Sequence, residues 1–255
     1  MPSTKDNKPD IFNSSFFLIG DSGSQKTRML GSFPDVYIFD FDKGTASLSD
    51  RDVQFDTFKD TAKGGKVMPE HGIYAYGDAY PRFLDRINEI GVQIDKGDCA
   101  FKALGLDSAT MLSNICMNYV LKSDGKPYTQ PQIQHWGRQT ALLETVFDQL
   151  TAWPLIKVVT AHVQRTSNDL LQTVEMLPLL TGKFAAKSAI YFDEVYFLEI
   201  ERKKVDEKTV LRAVCRTQST PILRQAKSRF GIADGIDANW DAVLKSFNGR
   251  PNAKK

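Results

Sequence analysis

Short apolar runs alternate along this chain with polar segments that contain glycine, and this pattern predicts the order of its elements. The apolar run FFLI at residues 16–19 leads into GDSGSQKT and then into a further apolar stretch, which predicts a strand, a loop and a helix. Three more short apolar runs predict strands at residues 36–41, 100–106 and 156–161. Strands therefore alternate with helices over the first two thirds of the chain.

Helices are predicted where apolar residues recur at intervals of three and four, at residues 81–90, 109–121, 135–152 and 240–247. Pro81 suits a first helical turn, and Gly91 is the expected end of that helix. Two β-rich runs at residues 190–201 and 209–217 flank the charged segment 202–208, which predicts a hairpin.

Three segments lack a clear period. Residues 43–66 are polar and contain glycine, so a long loop is predicted there. A short strand is predicted at residues 72–76, and a linker with helical stretches is predicted from residue 163 to Gly182.

Together these elements predict an α/β fold with a mostly parallel sheet flanked by helices and an antiparallel C-terminal hairpin extension. The expected division is a flexible tail over residues 1–12, one large domain over residues 13–232, and a C-terminal helix with a basic tail over residues 233–255. Ligands of such sheets bind at the carboxyl ends of the strands.

The composition indicates the class of protein but not its function. The chain has 255 residues, of which 42% are hydrophobic and 25% charged, as in ordinary globular proteins. Three scattered cysteines predict free thiols in a reducing compartment, and a cytoplasmic location is expected because the N-terminus lacks the apolar run of a signal peptide. No run of 18 apolar residues occurs, so no membrane span is expected.

The strongest chemical signal is the octapeptide GDSGSQKT, which follows the first predicted strand. A phosphate-binding P-loop has the pattern G-x-x-x-x-G-K-[ST], in which backbone N–H groups surround phosphate oxygens at a helix N-terminus. The lysine supplies a positive charge to the β- and γ-phosphates, and the threonine hydroxyl is a magnesium ligand. The predicted nucleotide-binding residues are Gly20, Asp21, Ser22, Gly23, Ser24, Gln25, Lys26 and Thr27.

Gln25 departs from this pattern, because glycine is expected at its position. Its side chain is accommodated if the backbone keeps a right-handed conformation. Alternatively, the side chain crowds the nucleotide and weakens binding. A polar turn between a strand and a helix that happens to contain Lys-Thr is the alternative without nucleotide.

Polar residues also follow the other predicted strands. Asp107 could hold magnesium as a Walker B residue, or it could cap the next helix. Asp42, in FDFD, could polarise the attacking water, and His162, after VVTA, could sense the γ-phosphate. Ordinary structural roles remain open for both.

Taken in order, the segments FFLIGDSGSQKTRML, FPDVYIFDFDKG, LGLDSAT, WGRQ and VVTAH resemble phage-encoded nucleotide-binding proteins with a RecA-type ATPase core. The similarity continues through FDEVYFLEIE to RTQST and AKSRFG, and covers residues 14–232. The resemblance implies a RecA-like P-loop NTPase core that uses ATP and Mg²⁺. Some of these proteins act in single-strand annealing and recombination, which implies single-stranded DNA as a partner and assembly into a ring or filament.

The resemblance also implies roles for single residues. It makes GDSGSQKT the Walker A segment, Asp107 the Walker B residue, Asp42 the counterpart of a catalytic glutamate and His162 the sensor. Residues 163–187 become a loop that faces DNA, in which cations contact phosphates and an aromatic ring stacks on a base. The candidates for DNA binding are Arg165, Lys183, Phe184 and Lys187.

Other interpretations stay open at this stage. The segment 163–187 could be a solvated linker, and the cations Arg202, Lys203 and Lys204 could reach the nucleotide of a neighbouring subunit. An interaction protein that is gated by nucleotide without turnover, and a P-loop kinase, are the alternatives to a DNA-dependent ATPase.

Overall fold

A single sheet organises the fold. The computed structural model describes residues 10–60, 76–168, 173–205 and 208–250. Within these ranges the strands are β1 Ser15–Gly20, β2 Val36–Asp40, β3 Gln54–Thr57, β4 Ala103–Asp107, β5 Ile156–Asn168, β6 Thr173–Pro178, β7 Glu194–Val205, β8 Lys208–Arg216, β9 Lys227–Ser228 and β10 Ile236–Asp237. The α-helices are α1 Lys26–Leu30, α2 Ala79–Lys96, α3 Ala109–Ser123, α4 Ile133–Ala152, α5 Lys183–Lys187 and α6 Trp240–Asn248.

The strand order confirms the predicted α/β architecture. The order is β10-β8-β7-β1-β5-β4-β2-β3, with β6 paired to β5 and β9 paired to β7. Strands β7, β1, β5, β4, β2 and β3 are parallel to their neighbours in that order. Strand β8 runs antiparallel to β7 and forms the predicted hairpin.

Both faces of the sheet are buried, which explains why β1 reads as an uninterrupted apolar run. Phe17 and Ile19 face a core cluster built with α2, α3 and α4. Phe16 and Leu18 face the second cluster, which is built with α1 and α6. The central position of β1 places the segment that follows it between two flanking strands, β5 and β7.

The two ends of the described chain join the second cluster. Ile11 is 1% exposed and starts a short 3-10 turn, so the predicted flexible tail of residues 1–12 is too long. Residues 1–9 lie outside the described residues. The predicted C-terminal helix is present as α6, and its Trp240 ring contacts the rings of Phe16 and Phe33. No helix within the described ranges is both long enough and apolar enough to cross a membrane.

Three predictions about elements are corrected. Helix α2 continues through Gly91, where a side chain would approach the Trp153 ring, and ends at Gly97 in a left-handed conformation. Strand β3 lies within the predicted loop 43–66. All four of its residues are exposed and only Phe55 is apolar, so the segment has no alternation that would predict a strand. Residues 163–178 form an antiparallel β-hairpin from β5 and β6 (with 169–172 outside the described residues) rather than a linker with helical stretches.

The hairpin was missed because it extends beyond the main sheet. Of its described side chains only Pro178 is buried, so the hairpin has no strict alternation of buried apolar and exposed polar residues. The predicted strand at residues 72–76 falls almost wholly outside the described residues.

Candidate functional site

The carboxyl ends of the parallel strands meet at one cleft. The loop after β1, the turn after β2, the end of β4 and the middle of β5 all border a cavity of about 440 Å³. Strand register explains the meeting, since Asp40 lies opposite Asp107 and Gly20 lies opposite His162. Eight of the residues selected from the sequence line the cavity: Ser22, Gly23, Gln25, Lys26, Thr27, Asp42, Asp107 and His162.

The segment GDSGSQKT forms a tight loop up to Gln25 and then the first two residues of α1, Lys26 and Thr27. Gly23 has a φ of 80°, which glycine adopts without strain. The Lys26 ammonium donates hydrogen bonds to the carbonyl oxygens of Gly20 at 3.0 Å and Asp21 at 2.8 Å. The lysine therefore reaches back across its own loop, where its charge lies next to the space that the loop encloses.

Burial governs the charge of Lys26, which is only 7% exposed. Loss of hydration lowers the pKa of its ammonium, and the carboxylates of Asp107, Asp42 and Asp21 act in the opposite direction. A polyanion in the cavity would add to the effect of these carboxylates and favour the charged lysine.

Gln25 has a left-handed backbone, with φ 68° and ψ 26°. The right-handed backbone that was one of the two alternatives for this residue is therefore not the one that the structure has. A left-handed conformation costs a non-glycine residue about 1–2 kcal/mol, because Cβ crowds the following carbonyl oxygen. The Gln25 side chain is exposed at the edge of the cavity, so it does not fill the loop.

Asp107 is held by two threonine hydroxyls. Thr27 Oγ1 donates to Asp107 Oδ2 at 2.7 Å, and Thr160 Oγ1 donates to Asp107 Oδ1 at 2.5 Å. The carboxylate is 2% exposed, and burial is the main cause that raises its pKa, with Asp42 and Asp40 adding to the effect. A cation beside Asp107 would stabilise its charged form.

Gly44 leaves the space next to this pair open. A Cβ at Gly44 would lie 2.7 Å from Asp107 Oδ2 and 2.8 Å from Thr27 Oγ1. A residue with a Cβ at this position would have to displace the Thr27 and Asp107 side chains.

The donor set fits Mg²⁺ that arrives with a nucleotide. Mg²⁺ is usually bound through one or two carboxylates together with substrate phosphates and water. Thr27 and Asp107 supply a hydroxyl and a carboxylate at one point of the cavity. Among the described residues, no group of three or more His, Cys, Asp or Glu side chains could hold a metal ion by itself.

Asp42 lies on the same cavity, beside a hydroxyl and an imidazole. Ser108 Oγ donates to Asp42 Oδ2 at 2.9 Å, and His162 Nε2 lies 3.2 Å from the same oxygen. The backbone N–H of His162 donates to Thr110 Oγ1, which fixes the position of the histidine in β5. This arrangement can hold a water molecule next to a carboxylate that accepts its proton.

Asp40 has a structural role, although it shares the FDFD motif with Asp42. Its Oδ1 accepts hydrogen bonds from the backbone N–H groups of Asp42 and Gly44, and its Oδ2 accepts from the Thr45 hydroxyl. Asp40 is 1% exposed. It therefore shapes the turn that directs Asp42 towards the cavity.

The predicted DNA-binding residues do not form one surface. Phe184 is 1% exposed and contacts Phe147 in the core, so the prediction that it stacks on a base is wrong. Lys187 forms an ion pair with Glu144, and the Arg165 guanidinium is bound to Asp21. Lys183 is exposed at the start of α5.

A family model described as an AAA domain matches residues 13–230. The chain belongs to this AAA domain family. The match extends from the turn before β1 to the segment after β9, so it includes every residue that lines the cavity. It supports ATP binding by a P-loop NTPase domain, in agreement with the loop geometry. No curated protein matches the chain.

Sequence reasoning missed three residues that shape the site of the AAA domain. Thr160 is the one polar residue in the run IKVVTA besides the lysine at its start, and this isolated hydroxyl was a usable signal. Ser108 follows Asp107 directly, where a helix cap was the obvious role. Gly44 has no local signal, because its neighbours across the cavity come from distant segments.

Proposed function

We propose that this chain is a DNA-dependent ATPase that binds ATP and Mg²⁺ in the cavity at the end of β1. The contact between Thr27 and Asp107 carries the proposal. It joins the hydroxyl of the P-loop threonine to a strand-end carboxylate at 2.7 Å, beside the ammonium of Lys26. A turn without a nucleotide function does not require these three groups at one point.

The roles follow from position. The backbone N–H groups of the loop and the Lys26 ammonium bind the β- and γ-phosphates. Thr27 and Asp107 hold Mg²⁺, which neutralises charge on the phosphate oxygens when bound. Asp42 accepts a proton from the attacking water, and His162 lies where it can contact the γ-phosphate.

We expect bound ATP to be hydrolysed slowly. Asp42 Oδ2 already receives a hydrogen bond from Ser108 and faces His162 Nε2, so both groups compete with the attacking water for this oxygen. The same observation favours a second candidate, in which the protein binds ATP as a switch with negligible turnover.

Phosphate release and nucleotide binding separate these candidates. Wild type, Lys26→Ala and Asp42→Asn are compared for ATP affinity by calorimetry and for phosphate release with Mg²⁺. We expect Lys26→Ala to weaken binding, and Asp42→Asn to retain binding while losing turnover by about 10²-fold or more. Binding without phosphate release in the wild type, even with DNA, would favour the switch. No binding of ATP at millimolar concentration would refute both.

Single-stranded DNA and a second copy of the chain are the proposed partners, on the strength of the family resemblance in the sequence. The β5–β6 hairpin extends from the nucleotide cavity, where a DNA contact could respond to ATP. Anisotropy of a labelled oligonucleotide, with and without ATP, tests DNA binding. An annealing assay with complementary strands tests the proposed activity, and light scattering tests assembly.

A lysine variant sharpens the DNA test. Lys183→Gln should weaken DNA binding and reduce its dependence on salt concentration. Lys102→Gln is the matched control, because Lys102 pairs with Asp35 at the amino ends of β4 and β2, away from the cavity at the carboxyl ends. Equal loss in both variants would mean that binding is a general charge effect.

A further inference from the structure

Arg165 joins the β5–β6 hairpin to the phosphate loop. Its Nη1 donates to Asp21 Oδ1 at 3.1 Å, and its Nη2 donates to Asp21 Oδ2 at 2.6 Å. Asp21 is the second residue of the loop, and Arg165 lies three residues after His162 on β5. The bidentate geometry fixes orientation as well as distance.

The pair is charged and accessible. Arg165 holds the pKa of the Asp21 carboxyl below its usual value, and Lys26 and His162 act in the same direction. Both side chains are about half exposed. Exposed pairs of this kind are weak, so the contact can break and reform during a reaction cycle.

The described part of the hairpin leaves β1 beyond His162. Strand β5 pairs with β1 as far as His162 and then pairs with β6. A cavity of about 350 Å³ separates the loop from the hairpin and β7, and Val163, Met176 and Phe197 line it. Arg165 and Asp21 lie on the border of this space, so their ion pair bridges a gap rather than adding to a filled core.

We propose that Arg165 is a positioning residue that couples nucleotide in the phosphate loop to the position of the β5–β6 hairpin, through Asp21. The inference rests on the proposed nucleotide binding at this loop. When the loop closes around phosphates, the backbone of Asp21 moves with it and carries the guanidinium and the hairpin. Coupling between two sites is reciprocal, so a ligand on the hairpin changes nucleotide affinity by the same factor.

Hydrogen exchange of the hairpin amides tests the coupling. Exchange of the amides of residues 163–168 and 173–177 is measured with and without ATP and Mg²⁺ in wild type, Asp21→Asn, Arg165→Gln and Arg165→Lys. We expect ATP to slow exchange in the wild type, and the response to fall about two- to fivefold in Asp21→Asn and Arg165→Gln. Arg165→Lys keeps the charge and should restore part of the response.

Asp35→Asn is the matched control, because it breaks an exposed ion pair with Lys102 at the amino ends of β2 and β4. Its hairpin response to ATP should equal that of the wild type. An equal response in all variants that bind ATP would overturn the coupling and leave the proposed function intact. A wild type that binds no ATP would overturn both.

Discussion

Thr27 Oγ1 donates a hydrogen bond of 2.7 Å to Asp107 Oδ2, although 80 residues separate the two side chains. Strand β5 lies between β1, which precedes Thr27, and β4, which ends at Asp107. The contact therefore spans a neighbouring strand at the carboxyl edge of the sheet. Thr160, on that intervening strand, donates to the other oxygen of the same carboxylate.

Removing the charge of Asp107 should stabilise the protein and impair nucleotide binding. Burial raises the pKa of Asp107 above its ordinary 3.8, so the charged carboxylate destabilises the fold at neutral pH, and this cost is relieved as the pH falls. We expect Asp107→Asn to raise the free energy of unfolding by about 1 kcal/mol at pH 7 and to abolish the Mg²⁺ dependence of ATP binding. Thermal unfolding and calorimetry measure the two effects.

Asp40→Asn is the control for this substitution. Asp40 is equally buried, but its oxygens accept two backbone N–H groups and the Thr45 hydroxyl. An amide cannot accept all three bonds, so this variant should be less stable than the wild type. If Asp107→Asn lost as much stability as Asp40→Asn, the charge of Asp107 would not be destabilising, and the prediction would be wrong.

Glycine at position 25 should relieve backbone strain. Gln25 adopts a φ of 68°, which costs a residue with a Cβ more than it costs glycine. We expect Gln25→Gly to raise the free energy of unfolding by about 0.5–1 kcal/mol, as measured by denaturant unfolding. Gln25→Ala retains the Cβ and should show no gain. ATP affinity of the same variants reports whether the glutamine side chain hinders the nucleotide.

Because of Lys157, the free energy of unfolding should rise as the pH increases from 8 to 10.5. Its ammonium is buried and donates to the carbonyl oxygens of Asn13 and Trp153, and burial lowers its pKa from 10.5 to about 8. The folded state therefore carries a cost of about 3 kcal/mol below pH 8, which disappears as the pH rises to 10.5. Relative to Lys157→Met, the wild type should gain stability over this range. A constant difference between pH 7 and pH 10.5 would contradict the assignment.

Phe184 should behave as a core residue and not as a DNA contact. Its ring is 1% exposed and touches the rings of Phe147 and Tyr191. We expect Phe184→Ala to cost about 3–5 kcal/mol in the free energy of unfolding. Phe55→Ala, at a ring that is 48% exposed, should cost less than about 1 kcal/mol. A DNA-binding defect without a loss of stability would restore the stacking role.

The sequence predicts those site residues that lie in a short motif or directly at the end of an apolar run. Lys26 and Thr27 lie next to each other in a short motif, and Asp107 and His162 each close an apolar run that is long enough to recognise. Parallel strands then bring these ends together without further information. The family resemblance adds their order along the chain.

The parts that escaped prediction depend on distant contacts. The left-handed backbone of Gln25 follows from loop closure and not from the preference of glutamine. The hairpin that carries Arg165 is defined by pairing between β5 and β6, and of its described side chains only Pro178 is buried. Burial of Phe184 depends on Phe147 of α4, which is 37 positions away in the sequence.

The register between β1 and β5 has a mechanical consequence. Gly20 and His162 lie opposite each other in adjacent parallel strands, at the last paired position. Force on Arg165 or its neighbours in β5 would pass along one continuous strand, Ile156–Asn168, to the partner of the first residue of GDSGSQKT. A load on the hairpin and the energy of a bound triphosphate therefore act on the same pair of backbones.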